Sequence, residues 1–408
     1  MTPPGKVFNV ITKLAVGGAQ ETALRSCAGL RDAGWEVTLV TGPESSPEGD
    51  LFNEARRLGA RVVTVTALGR RISPRADLRA VVALVRLFRR ERPDVVHTHS
   101  SKAGLVGRLA ARLARVPVVV HTVHGWSFHD GMAPANRAAA VALERLAARW
   151  TDAIVVVADH DRVVGCAARI GRPDAYALAR SGIDLRAYRA ASGARAHARA
   201  LVGVADGALV VGTVTRLCRQ KDPGTLLRAA RLLVDACPAS RLIVVGDGPL
   251  RAECERLIDD LDLRRHVTLL GSRADVAQIL PAFDVFALSS RWEGLPRVVL
   301  EAMAVGVPVV ASAVGGVAEA VEHRVTGLLV EPGAPAALAE ALALLLQDRA
   351  LAAQLSDQAS SRVEGFDAGA MVRQLESLYL DLLGAGRSRP LRLRMPRPVS
   401  IASRHEAA

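Results

Sequence analysis

The sequence predicts an α/β protein of two facing Rossmann-like domains, each a doubly wound parallel sheet, with a cleft between them. Three observations carry this. The chain has 408 residues, half of them hydrophobic, which is too long for one ordinary core and ample for two. Short β-branched runs alternate with helical patterns along most of its length. The runs fall into two groups, split by a polar, Ala/Gly-rich stretch near 185–207.

The first group is VFNVIT (7–12), EVTLVTG (36–42), RVVTVTA (61–67), DVVHTH (94–99), VPVVVHTV (116–123) and AIVVVA (153–158). The second is LVVGTVT (209–215), RLIVVGDG (241–248), HVTLLG (266–271), DVFALSS (284–290), VPVVASA (307–313) and TGLLVE (326–331). Their near-continuous hydrophobicity marks strands covered on both faces, as in parallel sheets. A first domain over 1–190 and a second over 205–366 are expected, with ligands beyond the carboxyl ends of the strands. A closing helix at about 367–384 is expected to pack back on the first domain. The Pro/Arg-rich stretch 385–408 is aperiodic and is expected to be disordered.

A net charge of +12 and a pI near 10.4 ask for an anionic partner. Nucleic acid fits poorly, because no binding motif is present and aromatics are only 3% of the chain. Only four of the 53 Lys and Arg residues are lysine, so a single arginine carries little information. Five scattered cysteines with no C-x-x-C pair read as reduced thiols of a cytosolic protein. The first residues lack the charged start and apolar run of a signal peptide, and no apolar run reaches 18 residues, so a cytoplasmic protein is expected.

No phosphate loop and no G-x-S-x-G elbow occur. GDGP at 246–249 has Arg251 where a dinucleotide fingerprint needs its third glycine, and reads as a tight strand–helix turn. The informative stretch is RWEGLPRVVLEAMA at 291–304. Pro296 suits the start of a helix, which places Glu293 in the loop before it and Glu301 in its second turn. The amides of Gly294 and Leu295 are left at the positive end of the helix dipole, a natural place for a diphosphate. The carboxylates then suit hydroxyls flanking that anion; two solvated glutamates are the plainer reading. Arg216 and Lys221, at a strand's carboxyl end, supply cations suited to phosphate, or are ordinary surface charges. Gly17 and Gly18 open a helix where backbone can approach a ligand. Five histidines end two strands (97, 99, 121, 124, 129). Their spacing is no metal signature, and His124, beside Gly125, is best placed to reach a ligand.

Together the GGAQ loop, R-L-x-x-x-K (216–221), GDGP, E-G-L-P-x-V-x-L-E (293–301), GVPVVAS and VGGVAEAV resemble glycosyltransferase family 4, over roughly residues 7–384. HTHSSKAGLVGRLAA with HTVHGWSFH resembles a bacterial subgroup that builds exopolysaccharide and capsule. SGID (181–184) departs from the commoner N-G-I-D.

The resemblance implies a GT-B fold and a retaining transfer from a nucleotide-sugar, with UDP expected on family frequency alone. It implies that Arg216 and Lys221 bind the donor diphosphate. Gly294 and Leu295 would offer their amides to it, and Gly17 and Gly18 would face it from the other domain. Glu293 would contact donor-sugar hydroxyls, Glu301 the ribose, and His124 would lie against the sugar. No metal or other cofactor is expected, and no protein nucleophile is evident.

The acceptor is expected to be a lipid-linked or other saccharide. A small molecule such as an aminocyclitol is the rival, and a nucleotide-sugar epimerase on the same scaffold is an alternative outside the class. A phosphorylase would need a pyridoxal-phosphate lysine, and a non-catalytic binding partner would not need the intact set of site residues. The segment 78–94 carries Leu78, Val81, Val82, Val85 and Phe88 at helical spacing, with Arg86, Arg89, Arg90 and Arg92 near its end. It reads as a core-packed helix, or as one resting on the anionic inner face of the cytoplasmic membrane.

Overall fold

The structure is a computed structural model and describes residues 4–43, 49–205 and 207–385. The first domain runs β1 (Lys6–Ile11), α1 (Gly18–Asp32), β2 (Glu36–Thr41), α2 (Phe52–Arg57) and β3 (Arg61–Thr64). It continues α3 (Pro74–Glu91), β4 (Val95–His99), α4 (Ser101–Ala114) and β5 (Val118–Val123). It closes with α5 (Pro134–Ala148), β6 (Ala153–Val156), α6 (Asp159–Ala167) and β7 (Tyr176–Leu178). Helices α7 (Leu185–Ala191) and α8 (Arg195–Val202) lead on.

The second domain follows as β8 (Leu209–Val214), α9 (Pro223–Ala236), β9 (Ser240–Val245), α10 (Arg251–Asp260) and β10 (Val267–Gly271). Then come α11 (Val276–Ile279), β11 (Val285–Leu288), α12 (Arg297–Ala304), β12 (Val309–Ser312), α13 (Val317–Ala320) and β13 (Leu328–Val330). Helices α14 (Pro335–Gln347), α15 (Arg349–Arg362) and α16 (Ala368–Ala385) end the described chain.

Every named strand pair is parallel, in the orders β3-β2-β1-β4-β5-β6-β7 and β10-β9-β8-β11-β12-β13. Strand order reverses between β1 and β4 and between β8 and β11, the switch points where such sheets bind ligands. The central strands are apolar because helices cover both faces; all five residues of β4 are buried.

One expectation is corrected. Twelve runs were read as strands, but a further strand, β7, extends the first sheet beyond β6. Its three residues, YAL, are too few for periodicity to register. The polar stretch near 185–207 holds α7 and α8, and Leu185, Tyr188, Ala198 and Val202 join the second domain's core.

Helix α16 leaves the second domain and lies on α1. Met371, Val372, Leu375 and Tyr379 pack with Leu30 and Trp35, and Trp35 Nε1 donates to Glu376 (3.1 Å). The chain therefore passes between the domains twice, and the two passages touch. Ile183 N donates to Phe366 O (3.0 Å) and Ala368 N to Ile183 O (3.0 Å).

In α3, Val81, Leu84, Leu87 and Phe88 are buried against α4, while Leu78 and Val82 stay exposed, as does Ile72 just before the helix. Arg75, Arg79, Arg86 and Arg89 are also exposed on α3. Among the described residues no helix is long and apolar enough to cross a membrane. The basic stretch expected beyond 385 lies outside the described residues.

Candidate active site

The loop from β11 to α12 is pinned to the loop from β8 to α9. Ser289 Oγ donates to the carbonyls of Lys221 (2.9 Å) and Asp222 (3.0 Å), and Arg291 N donates to Gln220 O (2.8 Å). Asp222 caps α9, which starts at Pro223. This pinning brings Lys221 onto Glu293: Lys221 Nζ is ion-paired with Glu293 Oε1. Ser290 Oγ donates to the same oxygen (2.6 Å), and Gln220 Nε2 reaches Glu293 Oε2 (3.5 Å). Arg216 lies half-buried two residues past β8. Its loop leans on the GDGP turn through Leu217 N to Asp247 O (3.0 Å).

Helix α12 begins directly after Pro296. Among the described residues, the amides of Gly294 and Leu295 donate to no protein acceptor. Gly294 O accepts from Gly316 N (2.8 Å), which holds the loop from beneath. Gly294 is also one of the places where the domains touch. A Cβ there would fall 2.6 Å from the His124 carbonyl, and one on Gly125, at φ +108°, would fall 3.3 Å from Gly294 N. Only two glycines permit this backbone-to-backbone approach.

Glu301 occupies a second cluster. It is 5% exposed and 3.4 Å from Arg297 one helical turn earlier, and Tyr188 of α7 interacts with it electrostatically. Arg297 is itself buried and lies 2.8 Å from Glu21 of α1, across the cleft. Burial pushes the Glu301 carboxyl above its usual range, and Arg297 opposes that shift. For Arg297 the balance runs the other way: burial disfavours its charge, but Glu21 and Glu301 keep the guanidinium protonated. Gly18 packs on this arginine, a Cβ there lying 3.8 Å from Arg297 Cδ. Gly17 caps α1, its carbonyl accepting from Glu21 N (3.0 Å). The two glutamates of the motif thus face different cations, Glu293 the Lys221 ammonium and Glu301 the Arg297 guanidinium.

The histidines are a buried polar stack. His124 Nε2 is 3.0 Å from His99 Nδ1, and His99 Nε2 is 3.0 Å from Asn9 Oδ1. His97 bonds Tyr379 (2.5 Å) and Thr122 (2.6 Å), and His121 bonds Thr98 (2.9 Å). Burial lowers the pKa of His97 to about 3 and of His124 to about 4, with Arg297 adding to the effect on His124. His129 instead stacks on Trp292 of the other domain, with centroids 3.9 Å apart and planes 14° apart. Among the described residues no group of three His, Cys, Asp or Glu side chains could hold a metal ion.

A cavity of about 1560 Å³ opens between the domains. Its wall includes His124, Glu293 and Gly294, together with Trp126, Asp161 and Trp292. Of the other residues singled out from sequence, Gly17, Gly18, Arg216, Lys221, Leu295 and Glu301 do not line it. They gather instead around α12 and its facing loops. Sequence reasoning missed Arg297, Glu21 and Tyr188. Arg297 stands four residues before Glu301, a spacing that places both on one helix face, and this was the available signal.

Two facing parallel sheets whose switch points share one cleft are the architecture of the GT-B glycosyltransferases. A family described as "Glycosyl transferases group 1" matches residues 196–362, and one described as "Glycosyl transferase 4-like domain" matches residues 17–162. The UDP-Gal:alpha-D-GlcNAc-diphosphoundecaprenol alpha-1,3-galactosyltransferase of Escherichia coli is 30% identical over 381 residues, 93% of this chain and 97% of its own. D-inositol 3-phosphate glycosyltransferase 1 of Catenulispora acidiphila is 33% identical over 73% of this chain and 74% of its own. The structure of Anabaena HepE in complex with UDP and glucose superposes with a TM-score of 0.80 and 26% identity, covering 92% of this chain and 99% of that one. The chain belongs to glycosyltransferase family 4.

Proposed function

We propose that the protein moves a sugar, with retention of configuration and without a metal ion, from a UDP-sugar to a lipid-linked or oligosaccharide acceptor in bacterial surface polysaccharide synthesis. The observation that carries this is the match, end to end, to an E. coli galactosyltransferase named for a diphosphoundecaprenol-linked acceptor. The likeness to HepE in complex with UDP and glucose supports the choice of base.

In this reading the diphosphate sits at the start of α12, against the Gly294 and Leu295 amides, with Arg216, Lys221 and the Gly17–Gly18 loop around it. Glu293 takes donor-sugar hydroxyls, Glu301 the ribose hydroxyls, and His124 lies against the sugar. Fixed amides and cations aimed at the departing diphosphate need little reorganisation as its charge develops. The acceptor hydroxyl attacks from the face the diphosphate leaves, and the leaving phosphate takes its proton. The enzyme works from the cytoplasmic face of the membrane. The exposed side of α3, with Ile72, Leu78 and Val82 among arginines, rests on anionic lipid.

The inositol-phosphate relatives favour a second reading, in which the acceptor is a small polyol phosphate. Thermal stability with UDP, GDP, ADP and CDP in turn tests the donor site. A ligand at 100 times its Kd adds about 2.7 kcal/mol to the folded state. UDP is expected to raise the Tm, and Glu301→Ala to abolish the rise. No rise with any nucleotide would overturn the donor site. Product formation with a GlcNAc-diphosphate-lipid but not with inositol phosphate separates the two acceptors, and salt-sensitive co-sedimentation with anionic vesicles tests the membrane surface.

A further inference from the structure

His99 and Asn9 stand behind the cleft with no part in donor binding as described so far. Both are buried, at 1% and 0% exposure, and His99 is hydrogen-bonded at both ring nitrogens. The Asn9 carboxamide presents Oδ1 to His99 Nε2 at 3.0 Å. With the carboxamide in this orientation its oxygen accepts and His99 carries its proton on Nε2, while Asn9 Nδ2 is buried with no hydrogen-bond partner. His99 Nδ1 is then a lone pair, and the hydrogen shared with His124 at 3.0 Å belongs to His124 Nε2. Tautomer is passed along the chain Asn9, His99, His124 by the complementarity of donors and acceptors.

Every charged or titratable group facing the pair keeps it neutral. The His97 ring lies 4.3 Å from that of His99, and burial together with His97, His124 and His121 holds His99 well below its usual pKa. Arg297 acts on His124 in the same direction. A neutral His124 with its hydrogen committed to His99 has one polar ring atom left, Nδ1, and that atom can only accept.

We propose that Asn9 and His99 are positioning residues that lock His124 as the Nε2–H tautomer, so that His124 meets a hydroxyl of the donor sugar as a hydrogen-bond acceptor and takes no part as a proton donor. The proposal rests on the reading of His124 as a donor-sugar contact. It adds a specificity rule to that reading: a donor lacking the hydroxyl that faces His124 leaves Nδ1 unpaired and is discriminated against.

Imidazole ¹⁵N NMR of the full chain reads the tautomer directly, without any variant. At pH 7 His124 and His99 are expected to be neutral and protonated at Nε2. An Nδ1–H tautomer at either residue, or rapid averaging between tautomers, would overturn the proposal, because Asn9 would then not set the direction. Asn9→Leu gives the functional readout. It should release the lock and weaken UDP-glucose or UDP-galactose binding about tenfold while leaving UDP binding unchanged, since UDP lacks the sugar. Equal loss for UDP and UDP-sugar would mark Asn9 as merely structural and overturn it too. Failure of the underlying donor reading is distinguishable: UDP-sugars would then not bind the unaltered protein, whatever the tautomer.

Discussion

Arg297 of the second domain and Glu21 of the first meet at 2.8 Å across the cleft, and the same guanidinium lies 3.4 Å from Glu301. One buried cation therefore serves a carboxylate on each side. The two sides are unequal, because the Glu301 side chain is 6% exposed and that of Glu21 is 33% exposed. Arg297→Met leaves Glu301 buried without its counter-charge and should destabilise the protein by about 3–5 kcal/mol. Glu21→Gln breaks only a partly solvated pair and should cost about 1 kcal/mol or less. Urea denaturation distinguishes the two, and similar losses for both variants would contradict this account of the cluster.

Lys221 and Glu301 should separate kinetically. In the proposed reading Lys221 faces the departing diphosphate, so Lys221→Met should lower kcat by about 10²–10³. Glu301→Gln should act mainly on the donor KM, because the proposed reading gives Glu301 the ribose hydroxyls. Initial rates across donor concentrations test this, and the reverse pattern would exchange the two roles.

Gly294→Ala probes the meeting of the domains. Its Cβ would fall 2.6 Å from the His124 carbonyl, so the cleft cannot close to the same distance. Turnover should drop by about 10², the effect of a displacement near 1 Å on a catalytic arrangement, with a near-normal Tm. Retained activity would show that this contact is not needed during catalysis.

Asp161 predicts a pH dependence. It is 3% exposed, and its Oδ2 has no hydrogen-bond partner. Burial first, and then Glu319, raise its pKa from 3.8 to about 7. The folded state therefore binds more protons than the unfolded state between these values, and stability falls as pH rises through that window. The loss is on the order of a few kcal/mol and is complete above pH 7. Asp161→Asn should flatten the profile and give a higher Tm than the unaltered protein at pH 8 but not at pH 4. A Tm lowered equally at both would rule this out.

Much of the architecture was legible because long β-branched runs report parallel strands regardless of context. Strand β7 was not, since three residues carry no period and its place comes from pairing with β6. At the site, the local geometry of Pro296, Glu293 and Glu301 followed from helix-start chemistry. The pairing of Lys221 with Glu293 did not, because their 72-residue separation is closed by contacts between two loops, those of Ser289, Arg291 and Gln220 among them. Arg297 was hidden differently. In a chain so rich in arginine, one more gives no signal until its burial and its two carboxylates are seen. The histidines were identifiable as strand-end polar groups, but their chain of hydrogen bonds depends on β1 lying beside β4, which sets Asn9 opposite His97 in register.

The paired passages at Ile183 and Ala368 limit how the cleft can open. A single connecting strand would let one domain swivel freely about it. Two strands hydrogen-bonded side by side behave like a door hung on two pins, leaving one axis of rotation and suppressing twist. Any opening of the cleft must bend both passages together, so Gly294 and Gly125 are expected to meet again at the same point when it closes.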